Sequence, residues 1–261
     1  MVFLEHLFIP PKGGHSWSHP STIVATFSLC WASFLVMQWT GLTLPKQKLK
    51  RKDQVEWHSR VISSVHALVL CLGSLMCYLE LQDKSREALV SGYAVWPDVF
   101  ARIFLGYLFY DTTNMLVYYK YLGDKSAIIH HIIFACAAAY VLGHSIMAFP
   151  FVWLSLCEIS TPSLNLRWHL AVTDQKNGSL YVANGVLLTV LFFASRVVSY
   201  GAGMWHLWGL RDVWAAPGQD PLNTALVGLF FLGYVLNLYW MQAILNGVLR
   251  ALSRSKPAKT A

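Results

Sequence analysis

Apolar residues along this chain fall into seven long runs separated by short polar stretches. The runs cover about 22–44, 61–79, 99–119, 127–143, 146–166, 180–209 and 222–249. A bilayer core takes roughly 20 helical residues, so each run is predicted to be a membrane-crossing helix. The fourth is short. The sixth is long enough to tilt or to extend into the headgroup layer. Pro150 and Pro162 lie in the fifth and are expected to kink it, because a proline inside a helix withdraws an N–H and crowds the preceding turn. No tandem repeat is visible.

Composition agrees with that pattern. Of 261 residues, 56% are hydrophobic and 13% charged, the latter about half the share of a soluble domain. The expected fold class is an all-α polytopic membrane protein of about seven transmembrane helices. Its expected parts are an N-terminal tail (1–21), a first helix with a basic loop (22–54), a main membrane domain (55–250) and a basic tail (251–261). The first apolar run lacks a basic segment before it and is expected to remain as an anchor. The five cysteines all lie in apolar runs and read as packing residues.

The net charge of +7 raises nucleic acid as a partner, but the basic residues cluster beside the apolar runs, as they do on the cytosolic side of membrane proteins. Lys46, Lys48, Lys50, Arg51, Lys52 and Arg60 fill the first connection. If that loop is cytosolic, Lys120, Lys125, Arg167, Lys176, Arg250, Arg254, Lys256 and Lys259 share its side. Only Lys12, Lys84, Arg86 and Arg211 face the other. Fourteen against four places the N-terminus in the lumen and the C-terminus in the cytosol. The N-x-S/T sequon Asn177-Gly178-Ser179 is then cytosolic.

Ionisable side chains at bilayer depth cost a few kcal/mol even on lenient scales and need a partner or a cavity. The candidates are Arg102 and Asp111 in the third run, His130 and His131 in the fourth, Glu158 in the fifth and Arg196 in the sixth, with His66 a weaker member. Glu158 lies roughly 12 Å in from the cytosolic end of its run at 1.5 Å per residue. Asp111, His130 and His131 lie at comparable depth, whereas Arg102 and Arg196 fall in the lumenal half. Tyr107, Asp111, Asn114 and Tyr118 share one helical face, and so do Ser155, Glu158, Thr161 and Asn165. Both stripes are expected to face inward. Arg102 is expected to snorkel to the lumenal interface, and Arg196 to pair with a carboxylate or meet a lipid phosphate. A histidine can also serve simply as a hydrogen-bonder across a helix seam, and the Asp–Tyr stripe as helix glue.

A neutral imidazole serves as nucleophile or general base near neutral pH, and a carboxylate beside it fixes the tautomer. His130 and His131 lack the companion histidines of membrane di-iron enzymes, so no metal is expected. No Gly-rich phosphate loop, GxSxG elbow or HExxH motif is present.

The segments GYLFYDTTNM (106–115), the His130–His131 pair, CEISTPSLNLRW (157–168) and LNLYW (236–240) together resemble the TLC-domain family, over roughly residues 55–250. That family includes the ceramide synthases and the translocating-chain-associating membrane proteins. The resemblance implies a helical bundle around a central cavity, residence in the endoplasmic reticulum or related endomembranes, and a role in lipid metabolism or homeostasis. It also implies that His130 and His131 match the paired active-site histidines of ceramide synthases. Those enzymes carry further acids downstream of the pair, where this chain has only Glu158. Two functions fit. One is acyl transfer from acyl-CoA to a membrane lipid or amine, with His130 or His131 as nucleophile or base, Glu158 and Asp111 as orienting acids, and Asn165, Arg196, Asn114 and Tyr107 in the binding site. The other is a non-enzymatic regulator, carrier or trafficking factor controlling membrane lipid composition. Membrane lipids are the expected partners and nucleic acid is not. No cofactor is expected beyond acyl-CoA as co-substrate.

Overall fold

In the computed structural model, residues 21–254 are described, with side chains through residue 250. The expected N-terminal tail and the basic tail bearing Lys256 and Lys259 lie outside that range. Helix α1 is Ser21–Thr40, α2 Arg51–Leu81, α3 Val95–Val117 and α4 Lys125–His144. The next rod is composite: α5 (Ala148–Leu156), a 3-10 turn at Cys157–Ser160 and α6 (Thr161–Val172). The following rod joins α7 (Ser179–Phe192), a π-helical segment at Phe193–Ser199 and α8 (Tyr200–Gly209), and α9 runs from Pro221 to Arg254. Among the described residues there is no strand, only an isolated antiparallel bridge between Ser91 and Ile146. The protein is all-α. Among the described residues, five rods are long and apolar enough to cross a membrane: Ser21–Thr40, Arg51–Leu81, Lys125–His144, Ser179–Gly209 and the α9 rod. Helix α3 is long enough but is diluted by Arg102, Asp111 and Asn114, and the α5–α6 rod is interrupted. Apolar length alone therefore returns five of the seven expected spans.

Two boundaries differ from the sequence pattern for identifiable reasons. The second rod begins at Arg51, ten residues before its apolar run. Between Arg51 and Arg60 there is neither glycine nor proline, and Arg60 closes an i,i+4 pair with Glu56 at 2.8 Å, so the helix continues through the basic segment. The fifth rod breaks at residue 157 rather than bending at both prolines. Pro150 sits in the first turn of α5, where a missing N–H costs nothing. Pro162 has no N–H for the carbonyl of Glu158, which accepts instead from the Thr161 N–H in a 3-10 turn. At the start of α4, the Asp124 carboxylate accepts from the Ser126 and Ala127 N–H groups. A bond from the Ser126 hydroxyl at 2.7 Å, with those two beside it, holds its carboxyl below the usual carboxylate range.

Side-chain ties define the two ends of the bundle. At the basic end Gln47 Nε2 donates to Asp174 Oδ2 at 3.4 Å. At the other end Arg86 pairs with Asp212 at 2.7 Å, the Met147 N–H donates to the Val90 carbonyl, and the Tyr140 hydroxyl donates to Asn223 Oδ1 at 3.1 Å. Buried aromatics fill the space between. Trp153 packs on Tyr200 and Phe230, with ring centroids 4.7 and 5.9 Å apart.

Helix α1 lies close along α3 because Gly106 has no side chain. A Cβ there would sit 2.6 Å from the Ile23 carbonyl oxygen and 2.9 Å from Thr26 Cβ, closer than backbone tolerates. Small residues set such approaches where lipid gives helices no hydrophobic incentive to associate. Gly106→Val is expected to push α1 away and to cost about 1–3 kcal/mol, with Gly106→Ala intermediate. The readout is the melting temperature in detergent, and an unchanged melt for the valine variant would contradict this docking of α1.

Candidate functional site

The polar groups at membrane depth assemble into two adjoining clusters. In the first, α3 and α4 bring Asp111 and His131 together, with His131 Nδ1 3.3 Å from Asp111 Oδ2. The contact is close but off-axis, and no aligned hydrogen bond satisfies Nδ1. Both side chains stay partly exposed, 19% and 14% for His131 and Asp111. The charge of Arg60 reaches Asp111.

In the second cluster, Arg196 is the hub. Its Nε donates to Ser160 Oγ at 3.0 Å, and its terminal nitrogens reach Asn237 Oδ1 and Thr161 Oγ1 at 3.4 Å. Glu158 Oε1 lies 3.6 Å from Nη2, and Thr161 donates to the other carboxylate oxygen at 2.7 Å. The charges of Arg196 and Glu158 both reach His130. His130 rests against Phe134, with centroids 4.4 Å apart, and faces Trp240 of α9 at 6.4 Å. The two histidine rings are 5.7 Å apart, so the clusters meet between them.

Local backbone irregularities create this arrangement. The 3-10 turn set by Pro162 carries Glu158 and Ser160, and the π-helical segment carries Arg196. Interruptions of this kind recur at functional positions in helices. The expected depth of Arg196 needs correction: it lies level with Glu158, not in the opposite half of the bundle. Helical side chains lean toward their own N-terminus. On the proposed orientation, Arg196 leans back toward the cytosolic end while Glu158, on an oppositely directed rod, leans toward it. The expected pairing of Arg196 with a carboxylate is present.

The two polar stripes do not each line one face of a cavity. Asn165 accepts from Arg60 Nη1 at 3.0 Å and donates to Ser64 Oγ and the Arg60 carbonyl, so it ties α6 to α2. The 3-10 turn breaks the helical phase between Glu158 and Asn165, and Ser155 bonds back to the Phe151 carbonyl. On α3, Tyr107 stacks on buried His66 with centroids 3.7 Å apart. Asn114 is fully buried beside Tyr110, which packs edge-on against Trp31 of α1. Of that stripe only Asp111 reaches a histidine of the pair. Arg102 does not snorkel. It is 6% exposed and is held by Asp98 one turn earlier, at 2.7 and 2.9 Å. A carboxylate at i−4, toward which the side chain already leans, is a nearer partner than the interface. Among the described residues no three His, Cys, Asp or Glu side chains gather as metal ligands would.

Sequence reasoning missed Arg60, read as a loop residue, and Ser160, Asn237 and Trp240. Asn237 and Trp240 are three residues apart, on one helical face within the LNLYW motif, and that spacing was the available signal.

The chain belongs to the TLC-domain family, whose model matches residues 56–246. Its similarity extends to named members. TLC domain-containing protein 4-B of Xenopus laevis is 30% identical over 230 residues, 82% of each chain. TLC domain-containing protein 4 of Homo sapiens is 29% identical over 249 residues, covering 91% of this chain and 92% of that one. TLC domain-containing protein 2 of Danio rerio is 25% identical over 155 residues, 59% of this chain and 62% of the other. No solved structure matches.

Proposed function

We propose that this TLC-domain protein transfers an acyl group from acyl-CoA to a membrane-resident amine or hydroxyl. The observation that carries the reading is the contact between His131 and Asp111, two side chains from different helices that meet at membrane depth yet stay partly open. Nε2 of His131 acts as general base, and Asp111, 3.3 Å from Nδ1, stabilises the charge the ring gains. The acceptor's N–H or O–H proton passes to His131 as the acceptor attacks the thioester carbonyl. The C–S bond then breaks, and the departing thiolate takes the proton from His131. His130, between Phe134 and Trp240, lines the approach. Arg196 and Glu158 fix the adjoining wall.

The test is incubation of purified protein with labelled acyl-CoA and candidate amine or lysolipid acceptors, beside His130→Ala and His131→Ala. Product lost in His131→Ala, and weaker use of acyl-CoA by His130→Ala, supports the enzyme. A second reading, a non-enzymatic lipid carrier or regulator, draws on the way Ser160, Thr161, Asn237 and Glu158 together occupy Arg196, as in a structural knot. No product with any acceptor favours that reading.

The endomembrane location and the orientation belong to the same proposal. Lys46, Lys48, Lys50, Arg51 and Lys52 gather at the end that Gln47 and Asp174 tie together, and positive charge marks the cytosolic side. Asn177 lies in the turn before α7, at that end. It is expected to remain unglycosylated in cells, and an endoglycosidase-sensitive mass shift that Asn177→Gln removes would invert the orientation.

A further inference from the structure

The end of the bundle opposite the basic loop holds a concavity of about 600 Å³, lined by Arg86, Trp208, Arg211, Asp212 and Trp214 with the backbone between them. That volume falls within the range of about 300–1,000 Å³ typical of small-molecule sites. None of these residues takes part in the histidine site.

Its chemistry is of two kinds. Arg86 spends one nitrogen, Nη2, on the Gly209 carbonyl and on Asp212 Oδ1, each at 2.7 Å. Among the described residues its Nε and Nη1 have no partner, and the side chain is 55% exposed. Arg211 lies over the Trp208 ring at 5.8 Å and reaches the Trp208 carbonyl through Nη1. Two guanidinium groups thus border the hollow with donor capacity to spare, which suits a phosphate. The second kind is aromatic and acidic. Trp208 and Trp214 stand 6.5 Å apart at 55°. Trp214 is locked by its indole N–H donating to the Leu207 carbonyl at 2.8 Å, whereas Trp208 is 57% exposed. Asp212 supplies one carboxylate, and Glu87 lies within charge range of both Arg86 and Asp212. Trp214, 5% exposed, backs the hollow, and the exposed Trp208 face beside a carboxylate is the setting in which a quaternary ammonium binds.

The charges choose among lipids. Two arginines against Asp212 and Glu87 leave no net charge, so an anionic headgroup gains nothing overall, while a headgroup carrying both signs satisfies both halves. Trp208 of the lining and Trp205, three residues earlier on the same helix and 80% exposed, stand out from the bundle, as tryptophans do in the headgroup layer. We infer that this concavity binds the headgroup of a phosphocholine lipid from the adjoining leaflet, the phosphate on Arg86 and Arg211 and the trimethylammonium against the exposed Trp208 ring beside Asp212.

The test is native mass spectrometry of the full-length protein released from nanodiscs of equal parts phosphatidylcholine, phosphatidylethanolamine and phosphatidylglycerol. Phosphatidylcholine is expected to be retained about tenfold over phosphatidylglycerol, and Trp208→Ala to abolish that preference. Asp212→Asn, an exposed and near-isosteric change, guards against a folding defect and is expected to lower the preference severalfold with the melt unaltered. Adding millimolar phosphocholine is expected to displace the retained lipid. Equal retention of the three lipids, or an intact preference in both variants, overturns the inference. So does undiminished lipid retention when free phosphocholine is seen bound at the same time, which would make the hollow a site for a soluble ligand.

Discussion

His131→Ala is expected to lower acyl transfer by about 10²–10⁴-fold, the range for loss of a positioned general base. Asp111→Asn is expected to fall between that variant and the wild type, because the amide preserves shape but removes the charge that stabilises an imidazolium. The measurement is the initial rate of labelled acyl-CoA consumption in proteoliposomes, with detergent melts to show that each variant folds. His130→Ala makes the informative comparison. Its ring touches no acid directly and sits between Phe134 and Trp240, so its loss is expected to act mainly on apparent affinity for the acyl donor. A wild-type rate for Asp111→Asn would remove the argument for the pairing. Full loss in His130→Ala with activity kept in His131→Ala would exchange the two roles.

Glu158→Leu is expected to destabilise the fold more than Arg196→Leu. Removing one partner of a buried ion pair costs about 3–5 kcal/mol, and the partial exposure of this one lowers that to about 2 kcal/mol or more. The asymmetry follows from the partners left behind. Without Arg196, the Glu158 carboxylate keeps the hydrogen bond that Thr161 donates at 2.7 Å. Without Glu158, Arg196 has only the neutral oxygens of Ser160, Thr161 and Asn237, and a guanidinium does not shed its charge. The double variant is expected to recover part of the loss, since no lone charge remains. Melting temperatures of the three variants in one detergent decide the matter, and equal losses in the single variants would show that the pair contributes through packing alone.

Much of the architecture was legible because lipid imposes a simple rule: backbone polar groups are satisfied within helices, and side chains are apolar. That rule exposed the rods and singled out Asp111, His130, His131, Glu158 and Arg196 as exceptions. It could not reveal how the exceptions group. Helical spacing assumes uninterrupted 3.6-residue turns, and the chain departs from them at Cys157–Ser160 and Phe193–Ser199, next to the site. Asn165 therefore left the expected stripe, and Arg196 arrived at a depth that residue counting did not give. Arg60 was hidden for a different reason. It belongs to a helix whose first turns are basic rather than apolar, so hydropathy places the boundary too late.

The π-helical stretch at Phe193–Ser199 has a bearing on how this sequence tolerates length changes. Each residue advances an α-helix by about 100°. A π turn holds about one residue more than an α turn, so excising a single position from the stretch would let ordinary turns close over nearly the same arc. Gly203 would stay opposite the Trp153 indole, and Trp205 and Trp208 would keep their present bearing. A one-residue gap is thus absorbed on the spot here, whereas the same gap in the α-helical turns on either side would swing the whole following segment by about 100°.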